Sequence, residues 1–241
     1  VTLGVLAVTA LLGTRTVFTA ASVMIWPIDP VIESGQRATA LWLENRGVQT
    51  VTLQIRVLGW SARDYTDHYI EHQRGIIGSP PVATIAPGQR QLVRLTKTEE
   101  IPAGQETAYR ILIDEIPSAA EATPETAPLA DMAAMGVKFR MRYSLPLFAY
   151  GPGASRTTGA PTLIWRVVDA DGHRWLQVRN DGPIHARLTD VSLTRDRATL
   201  PRVNVASGLL GYVLPGMEMR WPLPDTTPMD ERLALEAGVN Q

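Results

Sequence analysis

The sequence contains no cysteine. A disulfide framework and a thiolate metal site are therefore both excluded, and the chain must rely on its core. Excess charge is missing too: 23 Lys and Arg stand against 24 Asp and Glu, for a formal net charge of −1. That balance gives no electrostatic case for nucleic acid or for an anionic membrane surface. Catalytic motifs are equally scarce. There is no Gly-x-Ser-x-Gly nucleophile elbow, and Tyr150-Gly151-Pro152-Gly153 puts proline where a phosphate loop needs backbone N–H donors. No sustained helical stripe is present. The apolar run at residues 3–13 is too short for a bilayer, which takes about 20 helical residues.

What is present is enough for one large or two medium domains: 241 residues, of which 45% are apolar and 20% charged. The apolar run, followed by the small residues Thr19-Ala20-Ala21-Ser22, resembles a secretory signal peptide spanning residues 1–21. The competing readings of that stretch are a membrane anchor and an ordinary buried N-terminal segment. From Ser22 onward the pattern has period two. Val51, Leu53, Ile55 and Val57 alternate along 50–58, and with 41–43 and the turn signal Asn45-Arg46-Gly47 they predict a hairpin. Further strands are expected at 82–85, 91–96 and 109–113. Short strands at this spacing imply an immunoglobulin-like sandwich or a barrel. Residues 118–131 are rich in Ala, Pro, Glu and Thr and read as an exposed loop. After it, residues 137–146 alternate apolar and cationic side chains, and the weaker alternation of 129–136 extends that strand. Beyond the linker signal at 149–153, strands are expected at 162–168, 175–179, 186–193 and 211–214. The simplest organisation is an all-β chain with domains at 22–148 and 149–241.

One metal motif is literal. His68-Tyr69-Ile70-Glu71-His72 fits H-x-x-E-H, in which two histidines one helical turn apart hold zinc beside a glutamate base. The surrounding alternation predicts a hairpin arm instead, where histidines four apart lie ~13 Å from each other, too far for one ion. No metal or cofactor is expected. His173 and His185 stand beside turn residues and are expected to be solvated, so no catalytic constellation emerges.

A resemblance enters at residues 84–95, Thr-Ile-Ala-Pro-Gly-Gln-Arg-Gln-Leu-Val-Arg-Leu, with Glu106-Thr107-Ala108-Tyr109-Arg110 and Asp114-Glu115-Ile116-Pro117. Over roughly residues 22–150 the chain resembles the periplasmic pilus-assembly chaperones. Its lack of cysteine and its Arg-Tyr-Ser-Leu-Pro wording at 142–146 are closer to the archaic chaperone-usher branch. The resemblance implies two immunoglobulin-like β-sandwich domains in a boomerang and a location in the periplasm. It implies pilin subunits and an outer-membrane usher as partners, no membrane insertion after signal cleavage, and an open strand edge that a second copy could cap. It also implies donor-strand complementation, a form of β-augmentation. The donor residues would be Ala133, Met135, Val137 and Phe139, with Met141 and Tyr143 continuing their row. Arg140 matches the family cation that grips the pilin carboxylate in the interdomain cleft. The family's other cation aligns with Asp29, so Arg142, Lys138 or Arg94 is left as the second charge. Glu106 matches a buried glutamate whose family arginine is missing here, which makes Arg94 the candidate ion-pair partner. The alternative to this function is a secreted tandem-β adhesion or structural module.

Overall fold

Alternating apolar residues put one buried face on each strand, and the computed structural model closes those faces on one another in two β-sandwiches. It describes residues 22–117, 140–195, 202–229 and 233–240. The expected signal segment, Lys138 and the expected donor residues Ala133, Met135, Val137 and Phe139 lie outside the described residues. The first sandwich contains β1 (Val23–Trp26), β2 (Val31–Ile32), β3 (Ala38–Asn45), β4 (Val51–Arg63) and β5 (Thr66–Ile70). It continues with β6 (Ile76–Ser79), β7 (Val82–Ile85), β8 (Arg90–Lys97), β9 (Glu106–Ile116) and β10 (Arg142–Tyr150). One sheet has the order β1-β3-β8-β6; the other runs β2-β10-β9-β4-β5, with β7 also paired to β4. Leu41, Leu53, Leu95, Ile111 and Leu147 are fully buried between them.

The expected hairpin at 41–58 is a crossover. β3 pairs with β1 and β8, whereas β4 pairs with β5, β7 and β9 in the opposite sheet. Asn45 makes the corner: its buried Nδ2 donates to the carbonyls of Gln49 (2.7 Å) and Ile85 (2.9 Å), and its Oδ1 accepts from the Gly47 amide. Those bonds satisfy the backbone as the chain climbs between sheets. The segment 65–71 does lie in a hairpin, β4–β5, whose turn residues Asp64 (φ 49°) and Tyr65 (φ 64°) are both left-handed, as a two-residue turn requires.

The second sandwich comprises β11 (Leu163–Ala170), β12 (His173–Asn180), β13 (Ala186–Arg195), β14 (Val203–Asn204), β15 (Leu209–Val213), β16 (Glu218–Leu223) and β17 (Leu233–Val239). Its sheets are β11-β12-β16 and a set centred on β13, which pairs with β14, β15 and β17. β10 runs on to Tyr150, past the expected boundary at 148. Trp60, Ala108, Phe148 and Tyr150 from the first sandwich then bury against Ile184 and Leu214 from the second. The β4–β5 hairpin reaches across as well. Ala62 packs on the second core, and the Arg220 guanidinium lies 3.6 Å from the centre of the Tyr65 ring.

Candidate functional site

Two features of the first sandwich are left open by its topology. β10 meets β2 only at Phe148 and Ala149, so its outer edge from Arg142 to Leu147 has no strand partner among the described residues. β1 likewise pairs on one side only. Between these two edges is a cavity of about 440 Å3 lined by Val23, Ile25, Ile28, Tyr143 and Leu145, with Arg142 and Ser144. An unpaired edge beside an apolar groove is a template for another strand. Pro146 limits that template: it has no N–H to give, and Phe148 already donates its outward N–H to the Pro30 carbonyl at 3.4 Å.

The other face of the β2-β10-β9-β4-β5 sheet looks toward the second sandwich. Along β9 the odd positions Tyr109, Ile111 and Ile113 enter the first core, which sends Glu106, Arg110 and Asp114 to this face. Arg110 stands opposite Pro146 on β10 and Leu58 on β4. Its guanidinium is 3.7 Å from the Trp60 ring centre and 5.8 Å from those of Tyr69 and Tyr212, the last belonging to the second sandwich. Arg110 is half-buried, and its Nε has no hydrogen-bond partner among the described residues. A guanidinium stacked on an indole keeps its in-plane N–H fork available, which suits a carboxylate. Sequence reasoning passed over Arg110. The usable signal was the one cation in a strand whose other charged residues, Glu106, Asp114 and Glu115, are all acidic, in the same parity as Glu106 and Asp114.

Arg140 takes a different place from the one expected. The β9–β10 register pairs Arg142 with Asp114 and Tyr150 with Glu106. Roughly 20 Å of strand, at ~3.3 Å per residue, therefore separates Arg142 from Phe148, the first β10 residue of the interdomain junction, and Arg140 is farther still. Arg142 is held by Asp114, which also accepts from Arg56 Nη2 at 2.9 Å, and Arg56 in turn lies 4.0 Å from Glu71. Burial pushes the Asp114 carboxyl up, but hydrogen bonds from Arg142 and Arg56 outweigh it and hold the group below the usual carboxylate range. Arg94 is on β8 in the opposite sheet, exposed and opposite Ala40 and Ser79, so it neither joins the cleft nor reaches Glu106. Asp29 pairs with Arg156 at 3.5 Å.

Glu106 has a partner of another kind. Its fully buried side chain accepts the His185 backbone N–H at 3.1 and 3.3 Å and contacts His185 Nδ1 at 2.8 Å. The imidazole stacks on Phe148, with centroids 3.6 Å apart and planes at 6°. His185, expected to be solvated, is thus part of the domain junction. Tyr150 lies alongside; burial and the Glu106 charge push its phenol far up. His68 falls on β5, an extended strand, while His72 follows it in a turn. His173 opens β12 and is exposed, 3.4 Å from Asp225.

Known proteins share this fold. The model of the pili and flagellar-assembly chaperones, PapD N-terminal domain, matches residues 25–154. A solved chain from the CsuC–CsuE chaperone–tip adhesion subunit pre-assembly complex of the archaic chaperone-usher Csu pili of Acinetobacter baumannii is 32% identical, with TM-score 0.68, covering 90% of this chain and 98% of that one. The Pseudomonas aeruginosa CupB2 chaperone is 17% identical over 90% of this chain and 93% of its own, with TM-score 0.58. A chain from the Salmonella enterica complex of SafA pilin with the SafB chaperone is 18% identical over 86% of each, with TM-score 0.57. The last two matches bear on fold alone. No curated protein matches the sequence.

Proposed function

Since the chain belongs to the pilus- and flagellar-assembly chaperone family, we propose that it captures pilin subunits in the periplasm, completes them with a lent strand, and hands them to an outer-membrane usher. The work is binding, with no catalytic step. The observation that carries this reading is the pairing of an open β10 edge and its apolar cavity with a half-buried cation in the cleft, Arg110. The edge supplies ladder hydrogen bonds, and the cavity receives alternate apolar side chains. Ala133, Met135, Val137 and Phe139 are the proposed donor row, in the parity that Tyr143 and Leu145 continue toward the cavity. A secreted tandem-β adhesion or structural module, the alternative reading, has no need of a cation behind an open edge.

In this reading the pilin's terminal carboxylate is bound by Arg110 and not by Arg140. A charge-assisted hydrogen bond contributes about 1.5–3 kcal/mol, or roughly tenfold or more in affinity. Arg110→Ala is therefore expected to reduce by at least about tenfold the pilin that co-purifies after co-expression, while Arg140→Ala leaves capture near the wild-type level. The opposite ranking of the two variants would return the anchor to Arg140.

A further inference from the structure

Arg110 is flanked by rings whose positions are themselves fixed by one carboxylate. On β5, Tyr69 stands opposite Trp60 and Asp67 opposite Ala62, so Asp67 and Tyr69 share the cleft-side face. Asp67 Oδ1 accepts the Trp60 indole N–H at 2.8 Å, and its Oδ2 accepts the Tyr69 hydroxyl at 3.1 Å. The same two rings lie 3.7 and 5.8 Å from the Arg110 guanidinium. Burial pushes the Tyr69 phenol up, with Arg110 pulling against it, so the hydroxyl keeps its proton and remains a donor to Asp67.

We infer that Asp67 is a positioning residue for the carboxylate site: by tying the polar ends of Trp60 and Tyr69 together, it fixes the aromatic clamp that holds Arg110 with its N–H fork open to the client's terminal carboxylate. The inference rests on the Arg110 reading above. Two effects of Asp67 on that site have opposite signs. Its negative charge near Arg110 weakens the pull on an incoming anion, whereas the fixed clamp spares the guanidinium the ordering cost of finding its binding geometry. The bonds span a hairpin whose turn is already docked on Arg220 of the second sandwich through Tyr65. The clamp therefore has a stiff base, and geometry outweighs charge. Asparagine retains an acceptor for the indole and removes the charge; alanine removes both.

The test uses the full chain and a fluorescein-labelled synthetic peptide of alternating valine and threonine, with either a free C-terminal carboxylate or a C-terminal amide, followed by anisotropy. Wild type should prefer the acid by about tenfold, the value of one charge-assisted hydrogen bond. Arg110→Ala should bring that ratio close to one; if the ratio survives, or if wild type shows none, the Arg110 reading itself fails. Asp67→Ala should lower the ratio by about threefold or more, a modest share of a cation–π and ordering contribution, and Asp67→Asn should keep it at or above wild type. A wild-type or increased ratio in Asp67→Ala, with Arg110→Ala flat, overturns the positioning role and leaves the anchor standing. Tyr69→Phe, which keeps the ring and loses one bond, covers the case in which Asp67→Ala does not fold. It should lower the ratio by about twofold, and an unchanged ratio overturns the inference.

Discussion

Glu106 and His185 are 79 positions apart in the chain, and each makes sense only beside the other. With the Glu106 side chain fully buried, removing the imidazole takes away one donor and the ring stacked on Phe148, while the His185 backbone N–H remains. His185→Ala is expected to destabilise the junction by roughly 1–3 kcal/mol, the cost of leaving a buried polar group short of a partner. Limited proteolysis should show faster cleavage near residues 151–159, with both sandwiches remaining protected. The sequence announced half of this: a glutamate at the start of a strand, with its expected arginine missing, had to find another partner. It could not say which, because Asp181-Gly182-Pro183 makes His185 look like a loop residue and nothing local brings β13 to β9. Arg94 failed as a candidate for a related reason. Parity assigns a side chain to a face, but not to a sheet.

Among the elements, β9 is the clearest case of pattern giving structure. Its alternation sends Ile111 and Ile113 inward and Arg110 and Asp114 outward, and all of this was legible in period two. Partner choice was not, since β3 and β4 carry the same alternation whether they form a hairpin or cross between sheets; the buried bonds of Asn45 decide it. The register of β10 was also beyond local pattern: the family resemblance puts Arg140 in the cleft, whereas the pairing of Arg142 with Asp114 and of Tyr150 with Glu106 sets it at the opposite end of the strand. Across that register, Asp114 joins Arg142 on β10 to Arg56 on β4. Because its folded carboxyl titrates below the unfolded value of about 4, the stability it contributes is present above that pH and is lost as pH falls through the folded value. Urea midpoints of wild type and Asp114→Asn should therefore differ at pH 7 and converge as the pH is taken well below 4. A gap that stays constant would remove the two arginines from the account.

For the whole molecule, the junction of Trp60, Phe148 and Tyr150 with Ile184 and Leu214 makes the cleft a composite of two sandwiches, with Tyr212 and the β4–β5 hairpin as its walls. The open β10 edge belongs to the same assembly, and in the absence of a client it is available to another copy of the chain. Sedimentation velocity should show association that rises with concentration and is reversed by excess client. Ser144→Pro should suppress it: position 144 has the parity of Pro146, so the substitution removes an outward N–H and spares the ladder to β9. Persistence of the association in Ser144→Pro would assign it to another surface.

Pro146 gives the edge an end stop. A strand that pairs along β10 finds outward donors on the Arg142 side, none at Pro146, and an occupied one at Phe148. Arg110 stands directly across from that stop. With the anchor proposed at Arg110, a client is measured from its last residue, with the carboxylate as the zero mark, and side chains meet the cavity by their distance from the chain end. Subunits of different lengths and different beginnings can share one chaperone, provided that they count the same way backward from the terminus.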